Sequence, residues 1–195
     1  MDRDTLEVVT GAEAVVVLHG HSVVKQRVPK DYRIAELDTK LRRERTRLEA
    51  KIQSDARRAG VPTPIIEAVD GFSITMERVE GPPVHSVMNE VVAEAIGAVL
   101  CALHSAGIIH GDPTTRNMIF SAGRVYLIDF GLSSYDRSLE ARGVDVHVFF
   151  QTLEATDDRF PALKDAFLAG YSRNCSDAAL ILEKVNEIKE RGRYL

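Results

Sequence analysis

The sequence predicts an α+β chain in two lobes, an antiparallel sheet with one helix first and a mostly helical lobe after it. Three observations carry this. Residues 6–28, LEVVTGAEAVVVLHGHSVVKQRV, alternate Val-rich runs with turn residues, the period and chemistry of short strands. From residue 87 onward, long apolar segments return at helical spacing. Between these regions stands EGPP at 80–83, which interrupts helix and strand alike. Sheet first and helices second, joined by such a break, predicts lobes at 1–79 and 80–195 rather than one mixed layer.

The elements follow in order. Strands are expected near 5–10, 13–19 and 22–28, separated by TGAE and HGHS. In KLRRERTRLEAKIQSDARRAG, the residues Leu41, Leu48, Ile52, Ala56 and Ala59 recur at spacings that mark one helical face. Gly60 ends that helix, and Pro62 and Pro64 prevent its resumption. GFSITMERV is expected to supply a strand pair. Residues 87–106 predict one long helix ended by Gly107, and short strands near NMIF and RVYLIDF follow it. Helices are expected near 141–155, 160–172 and 176–191. There is no internal repeat and no low-complexity segment.

Composition narrows the classes. A chain of 195 residues, 45% hydrophobic, can bury a sizeable core. A net charge of −4 argues against holding nucleic acid by bulk charge. Residues 40–58 nevertheless carry eight Lys/Arg against three Asp/Glu, a pattern that ordinarily marks a solvated face. Cys101 and Cys175 have no metal-ligand spacing and are too few for a secreted disulfide scaffold. A reduced, cytoplasmic setting is therefore expected. MDRDTLEVV lacks the features of a signal peptide. The longest apolar run carries Glu94 and His104, so it predicts a buried helix and no membrane span.

The chemistry concentrates in two loops. IHGDPTTRN, at 109–117, is a poor helix and a poor strand, yet it holds a His, an Asp and an Asn. VYLIDFGLSS ends an apolar strand on Asp129, with Gly131 allowing a sharp turn. NMIF and RVYLI are short enough to pair as a hairpin, which brings Asp112, Asn117 and Asp129 side by side. Their carboxylate and amide oxygens suit Mg²⁺, which takes few protein ligands alongside phosphates. Singly, each residue has an ordinary explanation as turn former or cap. Jointly, HGD-x4-N followed after eleven residues by DFG is specific.

This pattern resembles the protein-kinase superfamily, with IHGDPTTRN as the catalytic loop and DFG as the metal-binding triplet. The resemblance implies a minimal two-lobed kinase-like fold and binding of ATP with Mg²⁺. Asp112 would accept the proton of the attacking hydroxyl or water, and Asn117 and Asp129 would hold the metal. Lys25 in SVVKQR looks like the strand lysine that meets nucleotide phosphates. Its partner should be a Glu of the following helix. Helical geometry alone does not choose between Glu44 and Glu49, which sit about equally far from the Leu41–Leu48–Ile52 stripe. The segment MERVEG resembles the hinge, so backbone groups of Glu77 and Val79 would bind adenine, with Val23, Met76 and Ile119 around the ring. The glycine-rich lid departs from the pattern. Only TGAEA stands there, in which Gly11 turns the chain and the N–H groups of Ala12, Glu13 and Ala14 would face phosphates. A carboxylate at Glu13 is unwelcome there, which predicts a stiff lid and modest nucleotide affinity.

What is missing narrows the family. Only LSSYDRSLEARG separates Gly131 from VDVHVFF, whose Asp145 is expected to bond back to the catalytic loop. No APE motif exists, and Gly111 replaces the Arg that reads an activation-loop phosphate. With VVKQR, RRAGVPTP, HGDPTTRN, IDFGLS and a terminal RGR, the chain resembles the small kinase subunit of the KEOPS (EKC) complex, the PRPK-like family. That narrower resemblance favours Glu49 as the partner of Lys25. It implies an ATP-hydrolysing, autophosphorylating Ser/Thr kinase that supports threonylcarbamoyl modification of adenosine 37 in tRNA. The threonylcarbamoyltransferase subunit would dock on the C-terminal lobe and tail, and a small regulatory subunit on the N-terminal lobe. The basic helix at 40–58 and the tail KERGRYL would face tRNA or a partner. Rival readings are a RIO-type kinase, whose extra N-terminal domain is not expected here, and an aminoglycoside-like phosphotransferase, which needs a larger substrate lobe. A scaffold without activity should have lost Lys25, Asp112, Asn117 or Asp129, and all four are present.

Overall fold

The computed structural model describes residues 7–11 and 13–191. Three strands open the chain as an antiparallel meander: β1 (Glu7–Thr10), β2 (Ala14–His19) and β3 (Ser22–Arg27). In β2 and β3 the register sets Ala14 opposite Arg27, Val16 opposite Lys25 and Leu18 opposite Val23. Directly opposed side chains share a face, so Lys25 and Arg27 emerge on one surface with Val16 and Val23.

Helix α1 (Ala35–Arg58) begins six residues before the periodic stripe did. Its inward face also differs from that stripe. Ile52 and Ala56 of the stripe are buried, but Leu48 and Ala59 are exposed, and Asp38, Thr46, Glu49, Ala50 and Gln53 complete the buried face. The reason is local: the strand face it meets carries Lys25 and Arg27, so charged partners are buried where apolar ones were expected. Arg42, largely buried beside Asp38, also covers apolar surface, lying 4.0 Å over the Phe72 ring.

The strand pair predicted within GFSITMERV is displaced upstream. Strands β4 (Ile66–Asp70) and β5 (Ser73–Glu77) are joined by Gly71 and Phe72. Gly71 at φ +43 makes the turn, so the first strand of the pair lies in IEAVD. The sheet order is β1-β2-β3-β5-β4.

The second lobe starts with α2 (Glu90–Ser105), capped where Asn89 Oδ1 accepts the Val92 N–H at 3.0 Å. A two-residue strand β6 (Ile108–Ile109) leads into the polar loop. β7 (Met118–Ser121) and β8 (Arg124–Leu127) form the expected hairpin. After the second loop, β9 (Ser134–Tyr135) pairs back on β6. Helices α3 (Leu139–Thr156), α4 (Phe160–Asn174) and α5 (Ala178–Arg191) complete the lobe.

Its core joins Phe149, Phe150, Phe167 and Tyr171 to the apolar face of α2. Helices α2 and α4 cross in backbone contact. A Cβ on Gly97 would lie 2.1 Å from the Phe167 carbonyl oxygen, and one on Gly170 would lie 1.9 Å from that of Glu94. Ile52, Ala56 and Val61 enter the same core, so the second half of α1 is rooted in the helical lobe. Cys101 and Cys175, expected as free thiols, form a disulfide between α2 and the end of α4. Their 74-residue separation concealed the pairing. Among the described residues, no helix is long and apolar enough to cross a membrane.

Candidate active site

Between the sheet and the β7–β8 hairpin lies a cleft of about 460 Å³. Val16, Leu18, Val23 and Met76 line it from the sheet, Ile119 and Ile128 from the hairpin, and Glu77 and Val79 from the connection between lobes. Lys25, Glu49, Asn117 and Asp129 converge at its inner end. A second hollow adjoins it, sharing Val16, Lys25 and Asp129, and is lined by Gly11, Glu13, Ala14, Arg27, Asp112 and Leu132. The structure thus brings together every predicted site residue except Ala12, which lies outside the described residues.

Lys25 sits between two carboxylates. Its Nζ donates to Glu49 Oε1 at 2.6 Å and to Asp129 Oδ1 at 2.7 Å. Burial alone would lower the Lys25 pKa, but the charges of Glu49 and Asp129 outweigh it and hold the ammonium above its usual value. Burial likewise works to raise the Asp129 pKa, and Lys25 outweighs it, leaving that group below the usual carboxylate range. Glu49 is the buried partner, with only 2% of its side chain exposed, and Glu44 faces solvent beside Lys40 at 4.0 Å. Geometry therefore chooses between the two glutamates that periodicity left open.

The catalytic-type loop is held from beneath. Asp145 of α3 accepts the N–H of His110 at 2.6 Å and that of Gly111 at 2.8 Å, and it also meets His104 Nε2 at 3.2 Å. The buried His110 ring donates from Nε2 to the Ile128 carbonyl at 3.1 Å, and Nδ1 accepts the Asp112 N–H at 3.3 Å. That tautomer is neutral, in keeping with a pKa that burial pushes below the usual value against the pull of Asp145. Gly111, at φ +84, packs where a Cβ would lie 2.3 Å from the Leu132 carbonyl oxygen. The absence of an Arg at this position thus has a steric cause.

Asp112 and Asn117 form a unit. Asn117 Nδ2 donates to the Asp112 carboxylate at 2.8 Å and to its carbonyl at 3.0 Å. This directs Asn117 Oδ1 away from the loop as an acceptor. Asp129 holds a left-handed backbone at φ +61, a conformation an Asp tolerates at modest cost. Only Oδ1 of its carboxylate meets Lys25 and the Gly131 N–H. Among the described residues there is no group of three or more His, Cys, Asp or Glu fit to hold a metal. The donor set is an amide and a carboxylate, which suits Mg²⁺ that is completed by phosphates and water.

In the lid, the Gly11 N–H donates to the Ala14 carbonyl at 2.9 Å, so the turn is closed on itself. At the connection, the Glu77 carboxylate accepts the Ile65 N–H at 3.0 Å. Sequence reasoning missed Arg27, Val16 and Leu132. The two-residue alternation from Lys25 along β3 would have found Arg27. Val16 required the strand register, and Leu132 required the path of the chain after DFG.

The RIO domain family (RIO1) matches residues 18–144. A protein of Archaeoglobus fulgidus, named as a probable serine/threonine-protein kinase BUD32 homolog, is 48% identical over 190 residues, covering 97% of each chain. A probable bifunctional tRNA threonylcarbamoyladenosine biosynthesis protein of Methanosarcina mazei is 50% identical over 189 residues, 94% of this chain and 35% of its own length. The present chain thus spans about a third of such relatives. Among solved structures, the Rio2 kinase–ADP/Mg²⁺–phosphoaspartate complex from Chaetomium thermophilum aligns with a TM-score of 0.62 at 20% identity, covering 95% of this chain and 70% of that one. An amicoumacin kinase in complex with AMP-PNP, Ca²⁺ and Ami aligns at 0.68 and 12% identity, covering 88% and 73%. At these identities the likeness establishes the fold.

Proposed function

This chain belongs to the RIO-domain family and groups there with the BUD32 homologue of Archaeoglobus fulgidus, and from that premise we propose that it is a Mg²⁺-dependent ATP phosphotransferase or hydrolase. One observation carries the proposal: Lys25 lies within 2.7 Å of both Glu49 and Asp129 at the inner end of the cleft. That is the arrangement a triphosphate needs where its charge must be met by a fixed cation and a metal.

Adenine would enter between Val23, Met76 and Ile119, against the backbone of Glu77 and Val79. The phosphates would pass Lys25 toward the backbone of Gly11, Ala12, Glu13 and Ala14. Mg²⁺ would be held by Asn117 Oδ1 and the Asp129 carboxylate, and it supplies neutralisation of charge on the phosphates. Asp112, fixed by Asn117 and His110, would take the proton of the attacking hydroxyl or water.

The physiological setting proposed is tRNA threonylcarbamoyladenosine synthesis in a KEOPS assembly. The relatives' names support it. The transferase subunit would meet the helical lobe and tail, the small regulatory subunit the sheet lobe, with tRNA along the basic surfaces. Cytoplasmic residence is part of the same proposal. The test is titration with ATP in the presence and absence of Mg²⁺. Wild type should bind and turn over Mg-ATP, and Asp129→Ala should lose the Mg²⁺ dependence. Unchanged Mg²⁺-dependent hydrolysis in that variant would overturn the assignment.

A further inference from the structure

Beyond the Lys25–Glu49 pair, the charged side chains continue in an unbroken line. Glu49 Oε2 accepts from Arg27 Nη2 at 2.5 Å, and Arg27 Nη1 donates to Glu13 Oε2 at 3.0 Å. Arg45 of α1 then meets both Glu13 oxygens at 3.1 Å. Glu13 belongs to the lid, and its backbone is pinned where its carbonyl accepts the Val28 N–H at 3.3 Å. Its side chain lines the hollow shared with Lys25, Asp112 and Asp129, which is where the proposed phosphates would lie.

Two features make this more than a surface ion pair. Arg27 has only 5% of its side chain exposed, and its Nε has no hydrogen-bond partner. A buried guanidinium with an unmet donor is a costly arrangement. The guanidinium is nevertheless placed on the hollow, where Glu13 is the partner of its Nη1. Second, the line is electrically balanced: Lys25, Arg27 and Arg45 stand against Asp129, Glu49 and Glu13. Without Glu13 the same line would carry one net positive charge.

We infer that Arg27 and Arg45 form an anion subsite for phosphoryl oxygens at the phosphate end of the cleft, and that Glu13 is its intramolecular occupant. The Glu13 carboxylate stands in for a phosphoryl group and competes with the polyphosphate of the nucleotide. This inference rests on the nucleotide-binding reading above and adds to it a residue that sets affinity by charge. Arg45 and Arg27 hold the Glu13 carboxyl below its usual pKa against the opposing effect of burial, so the occupant stays anionic at neutral pH. A lid strut with no electrostatic role would have the opposite signature, since cutting it would weaken binding.

Calorimetric titration of the full chain with Mg-ATP, Mg-ADP and AMP separates the two. Glu13→Gln keeps the size of the side chain, and Glu13 is half exposed, so folding is not at stake. It should tighten Mg-ATP by roughly tenfold, Mg-ADP by less, and leave AMP unchanged. Arg45→Gln added to Glu13→Gln should return part of that gain, and a double variant as tight as the single one would remove Arg45 from the subsite. Unchanged or weaker ATP binding by Glu13→Gln, or an equal shift for all three nucleotides, would overturn the inference and leave the nucleotide reading standing. If neither wild type nor Glu13→Gln binds Mg-ATP, both fall together.

Discussion

Glu49 divides its two carboxylate oxygens between two cations, Lys25 at 2.6 Å and Arg27 at 2.5 Å. Replacing it by Ala leaves Lys25 with Asp129 alone and Arg27 with Glu13 alone in a largely buried setting, and breaking a buried pair from one side costs up to about 3–5 kcal/mol. Glu49→Ala should therefore lower the urea midpoint and abolish Mg-ATP binding together. Glu44→Ala should leave both where they are, because that side chain is solvated. The reverse ranking in denaturation and titration would return the role to Glu44. Asp112→Asn is a different kind of change. It retains the contact with Asn117 but removes the proposed proton acceptor, so nucleotide affinity should hold while phosphoryl transfer falls by about 10²–10⁴-fold, read by single-turnover assays. His110 sets a pH limit. Its folded pKa lies below the usual value, so the unfolded chain takes up the proton first as pH falls. Stability is full above about pH 6.5 and declines below it, down to the folded pKa. Urea midpoints should fall from pH 7 toward pH 5. A ring that titrates in NMR spectra at the ordinary histidine value would refute this.

Among the elements, α1 is the one whose placement decides the site, and the helical lobe holds it at its C-terminal half. Its second half enters the helical core through Ile52 and Ala56. The Tyr135 hydroxyl of β9 donates to Asp55 Oδ2 at 2.6 Å, with Lys51 5.2 Å from the same ring. Burial and Asp55 push that phenol's pKa up to about 12, so it remains a donor. β9 in turn pairs with β6, immediately before the Asp112 loop. The short segment after DFG thus ties α1 to the catalytic loop directly, which accounts for the lack of an activation-loop phosphate reader. The same geometry separates two serines that look alike in the sequence. Ser133 is buried and donates to the His110 carbonyl at 2.8 Å, whereas Ser134 is exposed. If the chain phosphorylates itself in this segment, mass spectrometry should place phosphate on Ser134 and none on Ser133. Phosphate on Ser133 would show that β9 detaches. Much of this was legible: the strands β1 to β3, the hairpin, the helices of the second lobe and the gathering of Lys25, Asp112, Asn117 and Asp129 around one cleft follow from period and motif. What was not legible has a common cause. The buried face of α1, the disulfide and the β6–β9 ladder are decided by contacts between residues far apart in sequence, and local periodicity carries no trace of them. For α1 the trace was misleading in part, since Ile52 and Ala56 of the stripe are buried but Leu48 and Ala59 face solvent.

At the scale of the whole molecule, the cleft is walled by the sheet and the β7–β8 hairpin and open beside Asp129. Half of the Asp129 side chain is exposed, and Leu132 and Val9 stand 65% and 52% exposed at the rim of the inner hollow. Nothing in the twelve residues between Gly131 and Val144 forms a platform for a substrate; β9 and the start of α3 use most of them. Positioning of the acceptor and exclusion of water supply much of the advantage in phosphoryl transfer, so the isolated chain should hydrolyse ATP slowly. Exposed apolar residues beside the reacting groups suit a partner surface that closes the hollow. The expectation is that adding the transferase subunit and tRNA raises turnover. The C-terminal tail is the coupling element to test first, although residues 192–195, Arg193 among them, lie outside the described residues. Arg191 binds Glu140 at 2.5 Å, so in the isolated chain it is engaged on α3, and an exposed pair of this kind exchanges partners at little cost. Deleting residues 190–195 should reduce the stimulation and leave basal hydrolysis nearly intact. Equal stimulation of the truncated and full-length chains would move the coupling surface elsewhere on the helical lobe. A chain fully active alone on a small-molecule hydroxyl would defeat the requirement for a partner altogether.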